Sequence, residues 1–179
     1  MGGFIAQEFA LHYPERLDRL VLASTMMGGP SAVPIPPDAL KSLLPNPDLT
    51  PEQQIRQSAP LSYSDPQWPE KHRDEYEQII RWRLEMPQPP EARMAQAMAG
   101  MTFRSEDRVR GIMAPTLVIT GEHDCVVPPR NAELLAAAIP GAQLDVIPNG
   151  GHHVFYEQAD LFNRDVIEFL QAPVVASRA

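Results

Sequence analysis

Cysteine is nearly absent from this chain: Cys125 is the only one in 179 residues. One thiol excludes an internal disulfide and leaves nothing from which to build a cysteine-based zinc cluster. Long apolar runs are missing too, since no stretch approaches the roughly 20 residues that a membrane-spanning helix needs. Basic clusters are also lacking. Lys and Arg number 15 against 23 Asp and Glu, giving a formal charge of −8. Without clustered cations to neutralise phosphates, nucleic acid is excluded as a partner, and so is an anionic membrane surface. The first residues include Glu8 and carry no basic stretch ahead of an apolar run, so they do not read as a signal peptide, and a cytoplasmic location is the default. There is no internal repeat and no low-complexity tract. Hydrophobic residues at 44% and charged residues at 21% describe an ordinary globular chain, long enough to bury one domain's core. The partner that remains is a small molecule.

Apolar residues recur at helical spacing over 4–13, with Pro14 just beyond. Leu20-Val21-Leu22-Ala23 is a short apolar run of the kind that forms a buried parallel strand. Thr116–Thr120, introduced by Pro115 and ended by Gly121, is a second, and Gln143–Ile147, closed by Pro148, a third. Asn131 is placed to cap a helix over Ala132–Ile139, and a last helix over 159–170 carries an apolar stripe of Leu161, Phe162, Val166, Ile167, Phe169 and Leu170. Strands alternating with helices predict an α/β domain with a parallel sheet. Residues 28–110 differ. They hold thirteen of the twenty prolines, contain helical patterns over about 51–57, 70–85 and 91–101, and show no strand. So long an excursion needs structure of its own, and the pattern predicts a helical cap inserted between core segments 1–27 and 111–179.

Three segments carry chemistry. Met1-Gly2-Gly3 reads as the end of a G-x-S-x-G turn, in which a serine sits between a strand and a helix; Met1 would fill the x after the serine. Gly121-Glu122-His123-Asp124 follows the second strand directly, so Asp124 projects from the carboxyl end of the sheet, where open α/β folds place their sites. Asn149-Gly150-Gly151-His152-His153 follows the third strand. An Asp and then a His behind an elbow is the chain order of one enzyme family. The chain resembles the C-terminal two-thirds of an α/β-hydrolase, with matching pieces at Met1–Gly3, Arg16–Leu22, Pro115–Pro129 and Gly150–Glu157, and is similar to the capped small-molecule members, enol-lactonase-like hydrolases among them.

The resemblance implies roles. His152 is the base that draws the proton from a serine hydroxyl and then the acid that protonates the leaving group. Asp124 holds its imidazole in the productive tautomer. The backbone N–H of Met1 falls at an oxyanion-hole position, reinforced by the start of the helix at Gly2. No cofactor or metal is implied. His153 competes with His152, but the family pattern puts the base directly after the glycine pair. His12 reads as a partner of its own helix end, His72 and His123 as solvated, and Cys125 as a packing residue. Trp82, Met86, Met94, Met98 and Met101 fall on a helical cap face that reads mainly as core. Among them Trp82, Met94 and Met98, together with Val126, are the candidate lining of a substrate pocket, which would favour an apolar or weakly polar substrate.

In this family five strands precede the elbow, on the order of 80–100 residues at βαβ sizes. The resemblance therefore implies an incomplete sheet whose nucleophile lies one residue ahead of Met1, in a chain started late or fragmentary rather than truncated by evolution. The expected activity is serine-type cleavage of an ester, lactone or similar acyl bond. Two alternatives stand beside it: a non-catalytic remnant or binding module, and a relative with an aspartate nucleophile of the haloalkane-cleaving kind.

Overall fold

The computed structural model describes residues 1–173. Strands β1 (Leu20–Ala23), β2 (Thr116–Gly121) and β3 (Gln143–Ile147) form one parallel sheet in the order β1-β2-β3, with Leu22 opposite Val118 and Ile119 opposite Asp145. All six residues of β2 are buried, as expected of a central strand covered on both faces. The period of two sorts its neighbours. Leu20, Leu22 and Val118 face one side, where they meet Ala10 of helix α1 (Gly2–His12) and the face of another helix that carries Ala132 and Leu135. Leu117 and Ile119 face the other, where they meet Val154 and Phe169.

Between β1 and β2 the chain runs through five helices: α2 (Pro37–Leu43), α3 (Pro51–Ser62), α4 (Trp68–Lys71), α5 (Arg73–Glu85) and α6 (Pro90–Thr102). Then come α7 (Arg130–Ala138), α8 (Val154–Glu157) and α9 (Ala159–Gln171) around the last two strands. The inserted helices have a core of their own, built from Ile55, Ala59, Tyr63, Trp68, Tyr76, Ile79 and Ile80. Several of its prolines start helices, while Pro60 lies inside α3. Pro37, Pro51 and Pro90 occupy first turns, where a missing N–H costs nothing. Thr50 and Gln53 add a reciprocal capping box ahead of α3.

The two ends of this insertion meet. Ser105 N–H donates to the Met27 carbonyl at 2.8 Å, and Gly28 forms an antiparallel bridge with Arg104. Fully buried Gln7 spans the junction from α1, donating to the Met26 carbonyl at 3.0 Å and accepting from Ser105 Oγ at 2.6 Å.

Several local expectations give way. Helix α2 was not anticipated. Asn131 does not cap α7, which begins after Pro129; its amide is buried and pairs with both backbone groups of Val33, at 2.8 and 2.9 Å, tying down the segment that leads into the insertion. Cys125 is exposed rather than packed. His12 Nδ1 donates to the Glu8 carbonyl one turn back, 2.8 Å away. Among the described residues no helix is long and apolar enough to cross a membrane.

Candidate active site

The loops after β2 and β3 lie against each other at the carboxyl end of the sheet. Glu122 N–H donates to the Ile147 carbonyl at 2.9 Å, and His123 N–H to the Gly150 carbonyl at 2.8 Å. This stitching brings Asp124 to His152, 28 residues apart in the chain. His152 Nδ1 lies 2.9 Å from Asp124 Oδ2 and 3.1 Å from Oδ1. Asp124 is only 3% exposed, yet its oxygens are well partnered. Oδ1 also accepts the amides of Val126 at 2.9 Å and Val127 at 2.8 Å, an Asx turn that fixes the carboxylate before the imidazole arrives. Carboxylate oxygens accept, so the ring nitrogen facing them, Nδ1, is the one that donates its N–H. Nε2 is then left as the basic nitrogen. That is the arrangement a general base requires.

The His152 backbone is also held. Its carbonyl accepts from Ser24 Oγ at 3.0 Å; Ser24 directly follows β1 with φ of +45°, in the left-handed region that a serine occupies rarely. The next residue, Thr25, packs against the first turn of α1, where a Cβ on Gly3 would fall 2.4–2.7 Å from the Thr25 side chain. The start of α1 and the His152 loop therefore share the Ser24–Thr25 turn. Met1 sits at that helix start, and its carbonyl accepts the amides of Phe4 and Ile5.

The other histidines are placed differently. His153 is largely buried against Tyr63 in an edge-on contact, with Nδ1 unpartnered. Burial, then the neighbouring His152 and Arg83, push its imidazolium down to about 3, so it is neutral at ordinary pH. His72 is exposed and stacks on Trp68, and His123 is exposed.

Val126 is buried and contributes its amide to Asp124. Trp82, Met94 and Met98, by contrast, are 51%, 42% and 60% exposed. The expectation that they are core fails because α5 buries the opposite face, Tyr76, Ile79 and Ile80, and α6 buries none of its residues. A cavity of about 480 Å³ lies between the insertion and the His152 loop, lined by Ser64, Trp68, His123, Asn149 and Glu157 among others, and none of the four expected pocket residues reaches it. Among the described residues no three His, Cys, Asp or Glu side chains converge as a metal-ligand set.

A family model described as serine aminopeptidase, S33, matches residues 1–159. The chain belongs to the α/β-hydrolase family. The chain is 32% identical over 181 residues to a 2-hydroxy-6-oxononadienedioate/2-hydroxy-6-oxononatrienedioate hydrolase of Burkholderia vietnamiensis, covering 96% of this chain and 60% of that protein. It is 34% identical over 180 residues to a poly(3-hydroxyalkanoate) depolymerase of Ectopseudomonas oleovorans, covering 95% and 58%. The enol-lactonase of Burkholderia xenovorans LB400 shares the fold, with a TM-score of 0.76 at 24% identity, over 96% of this chain and 63% of that one. The chain thus spans about three fifths of the length of the curated α/β-hydrolases it matches.

Two participants in this candidate site had no role in the sequence reading. Ser24 looks like any residue at a strand end. Glu157 closes the family-like stretch Gly150–Glu157, and only the fold shows what its carboxylate holds: it accepts from Gly151 N–H, next to His152, and from the Ser64 and Asp65 amides of the insertion.

Proposed function

We propose that this chain carries the base, its orienting acid and the covering helices of a serine hydrolase that cleaves an ester, lactone or similar acyl bond in a small molecule. The observation that carries the reading is the Asp124–His152 pair at 2.9 Å, with one partner buried and the other reachable from solvent. In the forward step His152 Nε2 takes the proton of a serine hydroxyl while its oxygen attacks the acyl carbon. Asp124 stabilises the resulting imidazolium, which then gives that proton to the departing oxygen. Water repeats the sequence on the acyl-enzyme. The serine is assigned to the residue directly ahead of Met1, where a strand-to-helix elbow would aim it from the start of α1. The Met1 backbone N–H and the positive end of α1 then face the developing oxyanion. The contact of Gly3 with Thr25, beside the Ser24 that holds His152, supports this proximity. The insertion serves as the cap, and the name of one relative, a 2-hydroxy-6-oxononadienedioate/2-hydroxy-6-oxononatrienedioate hydrolase, favours a small carbonyl substrate.

The test is to read the coding frame upstream of Met1, express the longer product and treat it with a fluorophosphonate probe. The expected frame ends in G-x-S immediately before Met1, and the serine becomes labelled. His152→Ala lowers turnover by roughly 10⁶, the scale found for the base of a well-studied triad. An in-frame stop codon there, an aspartate at the serine position, or labelling indifferent to His152 would each refute the assignment.

A further inference from the structure

The carboxylate of Glu157 sits where the insertion meets the loop of the base. Its Oε1 accepts from Ser64 N–H at 2.7 Å, Ser64 Oγ at 2.6 Å and Asp65 N–H at 3.1 Å. Its Oε2 accepts from Gly151 N–H at 2.7 Å. Every backbone group facing it is a donor, and the Ser64 hydroxyl shares its one proton between Oε1 and the Asn149 carbonyl, 2.7 Å away. The amide on the other side of His152 is bound to the insertion as well, since His153 N–H donates to the Ser62 carbonyl at 2.9 Å. The two surfaces touch closely: a Cβ on Gly151 would come within 2.5 Å of Ser64 N and 2.8 Å of the Tyr63 Cα. The Gly150–Gly151 peptide, one residue ahead of His152, and the His152–His153 peptide are therefore both fastened to the insertion, the first through the Glu157 side chain and the second through the Ser62 carbonyl.

We infer that Glu157 is a positioning residue, one that makes the seating of the helical insertion set the orientation of His152 toward Asp124. The inference rests on the reading of His152 as the base. Glu157 touches neither reacting atoms nor the imidazole; it acts through the Gly151 peptide. Two acceptor oxygens are essential to that role, because donors approach from both sides. A glutamine of the same shape must turn an NH2 toward either Gly151 N–H or the Ser64–Asp65 amides, and one side lets go.

The experiment uses histidine-labelled 179-residue protein and follows the Nδ1–H proton of His152 by NMR, assigned by its absence in His152→Gln. The unchanged chain shows that proton held by Asp124. In Glu157→Gln the chain still unfolds cooperatively, the His152 proton signal is lost or broadened, and amide exchange at Gly151, Ser64 and Asp65 rises roughly tenfold, the scale of one lost hydrogen bond. Exchange within β2 stays unchanged. Ser64→Ala, which leaves all three backbone donors, keeps the signal. Faster exchange alone would mark a merely structural contact, so a folded Glu157→Gln protein with an unaltered His152 signal overturns the inference, as does equal loss in Ser64→Ala. If Glu157→Gln does not fold, Glu157→Asp, too short to span both sides, replaces it with the same expected loss, and a retained signal there is equally fatal. Absence of the signal from the unchanged chain strikes instead at the Asp124–His152 reading.

Discussion

Replacing Asp124 in two different ways separates its two jobs. Asp124→Asn keeps an oxygen for the Val126 and Val127 amides but presents an NH2 to His152 Nδ1. Asp124→Ala removes every acceptor and leaves both amides facing an interior with little water, since the residue is 3% exposed. Each orphaned buried N–H costs about 1–3 kcal/mol, so the alanine variant loses about 2–6 kcal/mol. The asparagine variant loses only its bond to the imidazole, about 1–2 kcal/mol. The alanine variant gives up the imidazole bond as well, so the expected gap between them is the cost of the two amides, about 2–6 kcal/mol, which for a chain of this size is about 4–24 °C in Tm. Urea unfolding of the two variants side by side measures it. In the longer, serine-bearing product the order reverses in significance, because asparagine keeps the fold yet favours the wrong imidazole tautomer, a loss of roughly 10⁴ in kcat in the serine-protease case. Equal stability of the two variants would refute the claim that the Asx turn prebuilds the carboxylate.

Two further outcomes follow from buried polar groups. His153 has an imidazolium held down to about 3 in the folded chain, against about 6.5 when unfolded, so between those values the unfolded chain binds the additional proton and stability falls as pH falls. The slope reaches about 1.4 kcal/mol per pH unit, and His153→Gln should flatten the profile by that much between pH 6 and 4; parallel urea-unfolding profiles would contradict it. Gln7→Ala strands the Met26 carbonyl and opens a void under the insertion's junction, so it should cost about 2–4 kcal/mol in urea unfolding, and a loss under about 1 kcal/mol would show that the junction does not depend on it.

The sheet was legible because β1 and β2 are short apolar runs and proline or glycine punctuates β2 and β3, and the helices beside it because their apolar residues recur every three or four positions. Helix α2 escaped notice because Pro36-Pro37 reads as punctuation, although proline suits a first helical turn. Asp124 and His152 could be picked out together because loops after neighbouring parallel strands converge at one end of a sheet. Side chains that bond across the fold leave no such trace. Asn131 has the chemistry of a cap and serves the Val33 backbone instead, while Gln7 and Ser105 are 98 residues apart. Trp82, Met94 and Met98 fit a buried stripe by spacing, and only packing reveals that α5 turns its other side inward.

A segment of some seventy-five residues that leaves and returns where the backbone touches itself at Met27 and Ser105 is, in engineering terms, a cassette. Exchanging it for a shorter or differently shaped one asks little of loop closure, since its ends are already neighbours. The graft has one further condition. Whatever replaces it must still offer outward-facing N–H groups where Ser64 and Asp65 now stand, or the host inherits a histidine loop with its second mooring cut.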